Sequence, residues 1–156
     1  MVHDAMMALY GPEWAMDRQV MPILHKKQRY DIKKAARRHQ SIYQEAATTT
    51  QIVASLSLGF WAAMLRKGYH AKIWQQQEAI AFPALAPEQS VHDISAATNR
   101  IQSLRNRIFH QEPLIGRDLS ADYADILHVL GAICPETKDW MRSNSSAMAV
   151  MRERPR

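Results

Sequence analysis

The fold of this chain is indicated most clearly by residues 90–111, which read SVHDISAATNRIQSLRNRIFHQ. Within this stretch, apolar side chains recur at spacings of three and four residues. That spacing places them on one face of an α-helix and differs from the strict alternation of a half-buried strand. The stretch therefore predicts one long amphipathic helix whose buried stripe consists of Ile94, Ala97, Ile101, Leu104 and Ile108.

The rest of the chain carries the same helical spacing, with prolines and glycines at the ends of the segments. Only 5 of the 156 residues are glycine, which argues against an architecture of strands and tight turns. The sequence therefore predicts an all-α fold. Besides the long helix, we predict helices over residues 28–47, 48–66, 69–82, from Asp118 or Ser120 to Ile133, and from Pro135 to about Trp140.

Residues 48–66 are the most apolar of these segments, and we expect them to form the central helix of the core. Phe60 and Trp61 should be mostly buried there. A chain of 156 residues has the usual size of one domain. We assign residues 1–143 to a single helical domain and residues 144–156 to a basic tail that frays.

Composition excludes several classes of protein. Hydrophobic residues make up 47% and charged residues 22% of the chain, which excludes intrinsic disorder as the main state. Cys134 is the single cysteine, so an intrachain disulfide and a zinc cluster of cysteines are excluded. No histidines or carboxylates have a recognisable metal-ligand spacing, and we expect neither a metal nor another cofactor. The longest apolar run is interrupted by serines and a glycine, so we expect no membrane span and a cytoplasmic location.

Basic residues are concentrated at the start of the predicted 28–47 helix. Seven Lys and Arg side chains and one acid, Asp31, fall within residues 26–38, in a chain whose net charge is +5. Two interpretations stay open: a solvated helix face, or a surface that binds the phosphates of RNA or DNA. His39 falls on the apolar side, and we expect it in the core. The candidate RNA contacts on this helix are Lys33, Lys34, Arg37 and Arg38.

Small neutral polar residues line the side of the 90–111 helix opposite its apolar stripe. A solvated face would normally carry Lys and Glu, so this face is expected to be covered by a second subunit, a cleft or a ligand. Its members are His92, Asn99, Ser103, Asn106 and His110, with Arg100, Arg105 and Arg107 flanking them.

This helix end carries side chains suited to phosphoryl-transfer chemistry. His110 can move protons near neutral pH, Asn106 four residues earlier can orient it, and a guanidinium can hold charge that builds on phosphorus. The alternative is structural: a histidine at a helix end and arginines in salt bridges.

Residues 104–114, LRNRIFHQEPL, resemble the signature of the Abi-like family, which comprises bacterial proteins named for abortive phage infection. The motif is that family's version of the R-x(4–6)-H pattern of the HEPN superfamily, with a polar residue directly after the arginine. The apolar stretch LSLGFW at residues 56–61 resembles another family segment. The resemblance covers about residues 10–141 and includes Tyr69, Trp74, Phe82-Pro83, Ile133, Pro135 and Trp140.

The resemblance implies an antiparallel HEPN-like bundle that lacks the family's first helix or two. It also implies a metal-independent endoribonuclease that acts as a homodimer and serves as a phage-defence or toxin effector. Such an effector would be restrained by an inhibitor, RNA or protein. The implied active-site set is Arg105, Asn106 and His110, whereas many members carry a second histidine at the position of Gln111.

Helix geometry complicates this assignment, because residues five apart are separated by about 140° around a helix. Arg105 could curl towards His110, or it could serve His110 of a second subunit. Arg107 lies about 60° from His110 and is the rival phosphate contact. The alternative function is a non-catalytic HEPN-like module that binds RNA or dimerises.

Overall fold

The computed structural model describes residues 1–153, and these residues form helices without any strand among them. The all-α fold class is therefore confirmed. Contacts divide the chain into two compact units, Met1–Ala81 and a second that begins at Phe82. The assignment of residues 1–143 to a single domain stays a prediction. No helix in the described residues has the length and apolarity that crossing a bilayer requires.

The N-terminal unit has its core around four aromatic side chains, Trp14, Phe60, Tyr69 and Trp74, all essentially inaccessible to solvent. Helix α1 contacts α5, and α2 contacts α3. A 3₁₀ turn, Lys67–Tyr69, and a π-helical turn, His70–Trp74, precede the last helix. The α-helices of this unit are α1 (Val2–Tyr10), α2 (Lys26–Tyr43), α3 (Thr49–Ala54), α4 (Leu58–Met64) and α5 (Gln75–Ala81).

Helix α1 ends at Tyr10, directly before Gly11 and Pro12. Gly11 has a φ of 81°, a conformation that glycine adopts without steric cost. Residues 12–24 then form successive turns instead of a helix. Within them Trp14 is buried, and its indole Nε1 donates a hydrogen bond to His3 Nδ1 at 3.0 Å.

The prediction of one continuous helix over residues 48–66 is wrong, because α3 and α4 are separate. Ser55 Oγ donates to the carbonyl of Gln51 at 3.0 Å, while Ser57 Oγ accepts from the Phe60 N–H at 3.3 Å. Serine side chains that bond to nearby backbone offer the chain an alternative to the helical ladder. Phe60 is buried as expected, whereas Trp61 is only half-buried.

The C-terminal unit packs α6 on α7, and α7 on α8 and α9. Its helices are α6 (Val91–Phe109), α7 (Leu119–Ile133), α8 (Pro135–Asn144) and α9 (Ala147–Arg152). Helix α9 lies in the segment for which we predict a frayed tail, and it contacts α7 through a stretch rich in methionine and alanine. Residues 154–156 of that tail lie outside the described residues.

Helix starts in this unit are fixed by short polar side chains or by proline. Ser90 donates to Asp93 Oδ2 from its backbone N–H at 2.9 Å and from its hydroxyl at 2.8 Å. Asp118 Oδ1 accepts from the Ala121 N–H at 2.9 Å, and Pro135 is the first residue of α8. These caps satisfy amides that have no partner within the helix.

The buried stripe of α6 is confirmed for its first half and fails at its end. Ile94 and Ala97 are fully buried, Ile101 and Leu104 are half-buried, and Ile108 is 57% exposed. Burial of the α6 stripe therefore decreases towards the C-terminal end of the helix, where apolar surface stays open.

Candidate functional site

The three candidate catalytic residues lie together at the C-terminal end of α6. Arg105 Nη1 donates to the side-chain oxygen of Asn106 at 3.3 Å. The His110 backbone N–H donates to the Asn106 carbonyl at 2.9 Å, which closes the helix. The side chain of Asn106 therefore holds Arg105, whereas the sequence led us to expect it to orient the imidazole of His110.

A fourth side chain, Phe109, connects Arg105 to His110. The guanidinium carbon of Arg105 lies over the Phe109 ring, 4.8 Å from its centroid. The His110 imidazole meets the same ring edge-on, with centroids 5.3 Å apart. The guanidinium carbon of Arg105 and the imidazole centroid of His110 are therefore separated by no more than the sum of these two distances, although the two residues point in different directions around the helix. Sequence reasoning gave Phe109 no role, although the four-residue spacing from Arg105 permits the contact.

Arg105 differs from Arg100 and Arg107 because no carboxylate among the described residues pairs with its guanidinium. Among the described residues, no carboxylate oxygen lies within 4 Å of its guanidinium. Arg100, by contrast, makes a bidentate pair with Asp125 at 2.5 and 2.6 Å. Hydrogen bonding to this carboxylate raises the pKa of Arg100 above its usual value. Arg105 is thus the α6 guanidinium that an incoming phosphate could engage without displacing a carboxylate.

The rival phosphate contact, Arg107, already has an ionic partner. Its Nε lies 3.4 Å from a carboxylate oxygen of Glu112. The two residues are also joined through the backbone, because the Glu112 N–H donates to the Arg107 carbonyl at 2.8 Å. A phosphate at Arg107 would have to compete with Glu112, so the geometry favours Arg105 over Arg107.

The polar face of α6 has a partial explanation within the chain. Arg117, from the loop before α7, donates to Ser103 Oγ at 3.3 Å and to the Arg100 carbonyl at 3.0 Å. Its guanidinium also makes a bidentate pair with Asp122 at 2.6 and 2.7 Å, which raises the pKa of Arg117. The small side chain of Ser103 therefore makes room for an arginine of the same chain, which the sequence pattern did not reveal.

The other members of this face differ in exposure. His92, Asn99, Ser103 and His110 are exposed, and Asn106 is half-buried. Coverage of the face by a second subunit stays a prediction.

An apolar groove of about 300 Å³ lies beside Arg105. Two of its side chains are strongly exposed for their type: Ile108 at 57% and Phe109 at 67%. Exposed apolar surface of this kind is typical of sites where another molecule binds. The residues that line the groove are Ile101, Leu104, Arg105, Ile108, Phe109 and Ile126.

The candidate RNA contacts on α2 belong to the N-terminal unit. Lys33, Lys34, Arg37 and Arg38 are all exposed. His39 is mostly buried, as expected, with its ring 4.6 Å from that of Tyr43 and its Nε2 3.4 Å from a carboxylate oxygen of Glu45.

Residues 1–153 contain no group of three or more His, Cys, Asp and Glu side chains arranged to hold a metal ion. No protein-family model matches the sequence, and no curated protein or solved structure matches it significantly.

Proposed function

We propose that this chain is a metal-independent endoribonuclease of the HEPN type, with Arg105, Asn106 and His110 as its catalytic set. The observation that carries the proposal is the shared contact of Arg105 and His110 with Phe109, at 4.8 and 5.3 Å. A cation without a carboxylate partner among the described residues and a group that can move protons thus share one neighbouring ring at the end of α6. The resemblance to the Abi-like signature supplies the reaction class.

The mechanism is internal attack on the RNA backbone. His110 removes the proton of a 2′-hydroxyl, the 2′-oxygen bonds to phosphorus, and the bond to the 5′-oxygen breaks. Arg105 stabilises the negative charge on the pentacoordinate phosphorus, and Asn106 holds Arg105 in place. A proton from water or from a second His110 completes the leaving 5′-hydroxyl. The products are a 2′,3′-cyclic phosphate and a 5′-hydroxyl, and DNA is not a substrate because it lacks the nucleophile.

RNA binding is assigned to the exposed cations of α2, Lys33, Lys34, Arg37 and Arg38, with Arg107 as a further contact in the other unit. Reversal of the four α2 charges to Glu should abolish RNA affinity at low salt while circular dichroism stays unchanged. Unchanged affinity would mean that this helix face is only solvated.

The protein is proposed to act as a homodimer with the end of α6 near the interface. The exposed Ile108 and Phe109 support this, because a second copy would cover them. In such a dimer Arg105 of one chain can approach His110 of the other. The biological setting that follows from the resemblance is a cytoplasmic phage-defence or toxin effector, restrained by an RNA or protein inhibitor.

A second candidate is a module that binds RNA or dimerises without cleaving. One observation favours it: the His110 ring packs against the aromatic ring of Phe109, which cannot fix its tautomer. In this reading the cations of α2 hold RNA and the end of α6 serves assembly alone.

Incubation with structured and unstructured RNAs in EDTA distinguishes the two candidates. The wild-type protein should produce fragments with 2′,3′-cyclic phosphate ends, and His110→Ala should bind RNA equally well but cut it about 100-fold more slowly or worse. Fragments that persist with His110→Ala would exclude His110 as the catalytic group. Binding without any cleavage by the wild type would favour the module.

A further inference from the structure

A second groove, of about 430 Å³, lies in the N-terminal unit between the first two turns of α2 and the turns that precede it. Four of its lining side chains are cationic: Arg18 from the turns, and Lys26, Arg29 and Lys33 from α2. Its volume lies within the range of about 300–1,000 Å³ that is common for small-molecule sites.

No acid lines this groove. Among the described residues, none of its four cations has a carboxylate oxygen within 4 Å, whereas Lys27 on the neighbouring side of α2 pairs with Asp31 at 3.4 Å. Clustered like charges repel one another, and a bound anion relieves that repulsion. The groove therefore gathers four cations, none of which forms an ion pair with a carboxylate among the described residues.

The α2 residues of the groove follow strict helical spacing. Lys26, Arg29, Tyr30 and Lys33 are separated by three, one and three residues, so they form one stripe along the helix. Tyr30 stands in the middle of the stripe and is 59% exposed, with cations on both sides of it along the helix. An exposed ring between cations is the arrangement in which a base can stack while its phosphates are held.

We propose that this groove binds a nucleotide, with its phosphates on Arg29, Lys33 and neighbouring cations and its base on the Tyr30 ring. Guanidinium and ammonium groups bind phosphate oxygens strongly, and arginine can do so with two hydrogen bonds. The nucleotide can be free or part of a single strand, since both offer the same phosphate and base. The site goes beyond the proposed cleavage reaction, because none of the catalytic residues takes part in it, and it shares only Lys33 with the proposed RNA contacts of α2.

An acidic peptide is the other anion that such a charge could attract. It is disfavoured by Tyr30, because carboxylate side chains offer no flat surface for the exposed ring. The aromatic ring thus makes the inference specific to nucleotides, and it provides the variant that separates the two ligands.

The test measures fluorescence anisotropy with a labelled short oligothymidylate. This DNA probe stays intact because it lacks the 2′-hydroxyl, so the result is independent of any ribonuclease activity. The double variant Arg29→Gln/Lys33→Gln should weaken binding at least tenfold. Because two phosphate contacts are lost, the plot of the logarithm of the association constant against the logarithm of salt concentration should become less steep by about 1.4. The matched control is Lys67→Gln/Lys72→Gln, which removes the same charge from exposed positions of the same unit and should leave affinity nearly unchanged.

Substitution at Tyr30 tests the base contact. Tyr30→Ala should weaken oligothymidylate binding about tenfold, and Tyr30→Phe should restore it because the ring is kept. Neither change should alter the inhibition constant of inorganic tripolyphosphate as a competitor, because this anion has no base. Displacement of the probe by ATP at concentrations near those of unlabelled oligothymidylate would identify a free nucleotide as the ligand, and displacement only by the oligonucleotide would identify a strand.

Three results would overturn the proposal. Equal losses in the groove variant and in the control would mean that binding follows net charge alone. Wild-type affinity in the Tyr30→Ala protein would show that Tyr30 does not stack on a base. Displacement of the probe by polyglutamate as effective as that by oligothymidylate would assign the groove to acidic peptides.

Discussion

Arg105 lies over the ring of Phe109, with its guanidinium carbon 4.8 Å from the ring centroid. Together with the hydrogen bond to Asn106, this contact positions the long Arg105 side chain at the end of α6, where His110 meets the same ring. Phe109 is 67% exposed, so its position does not reflect burial in the core. The ring contacts both the cation and the imidazole from an exposed position.

Loss of this ring should reduce catalysis more than binding. We expect Phe109→Ala to lower kcat for RNA cleavage about 10- to 100-fold, because displaced catalytic groups lose their alignment. KM should change little, and Phe109→Tyr should keep near-wild-type kcat because it retains the ring. An unchanged kcat in Phe109→Ala would show that Phe109 does not position the catalytic groups.

Arg105 and His110 should complement each other across a dimer. Arg105→Ala should lose about 100- to 1,000-fold in kcat, as removal of a charge-stabilising group does, and His110→Ala should be equally inactive. Mixing the two proteins should recover part of the activity, measured as cleaved RNA per dimer, if a site draws on both chains. Mixtures that stay inactive would place each site within one chain.

Arg107→Ala is the control for that experiment. Because Arg107 already pairs with Glu112 at 3.4 Å, its removal should change kcat by less than about tenfold. If Arg107→Ala abolished cleavage while Arg105→Ala left it intact, Arg107 would be the phosphate contact.

Arg117 should matter for stability and Arg105 should not. The side chains of Arg117 and Asp122 are only 18% and 6% exposed, so removal of the guanidinium leaves a mostly buried carboxylate without its partner. We expect Arg117→Met to lower the free energy of unfolding by about 2 kcal/mol in urea denaturation. Arg105→Met, at an exposed position, should stay within about 0.5 kcal/mol of the wild type. Equal effects of the two substitutions would contradict the role given to the Arg117–Asp122 pair.

The stability that the Ser90–Asp93 cap gives to the start of α6 should depend on pH. Hydrogen bonds from the Ser90 hydroxyl and N–H hold the pKa of Asp93 below its usual value. The folded state therefore binds fewer protons, so the stabilisation is present above the pKa of the unfolded state and is lost as the pH falls through the folded pKa. Asp93→Asn should lower Tm at pH 7, and this difference should shrink as the pH approaches 3. The control Glu88→Gln removes an exposed carboxylate before the same helix and should leave the pH profile of Tm unchanged; a matching change would assign the effect to net charge.

Helix identity and capping could be predicted because they depend on residues close in sequence. The spacing of apolar residues in 90–111 and the pairs Ser90–Asp93 and Asp118–Ala121 act within one or two turns of helix. The break between α3 and α4 was missed because two serines compete with backbone hydrogen bonds inside an apolar run. A pattern of hydrophobicity does not register that competition.

The candidate site was predicted in its residues but not in its arrangement. Arg105, Asn106 and His110 come from a recognisable string, yet the choice between Arg105 and Arg107 depends on which of them has a carboxylate nearby. Arg117 reaches Ser103 across a loop, over a separation in sequence that no periodicity reports. The exposure of Phe109 could not be predicted, because exposure at the end of a helix depends on what the next helix covers.

The segment that contains Arg105, Asn106, Phe109 and His110 spans six consecutive positions. Its internal geometry is set by the pitch of one helix and by contacts within that segment, so it does not depend on distant parts of the chain. A substitution elsewhere in the chain that leaves this end of α6 helical should therefore leave these contacts in place.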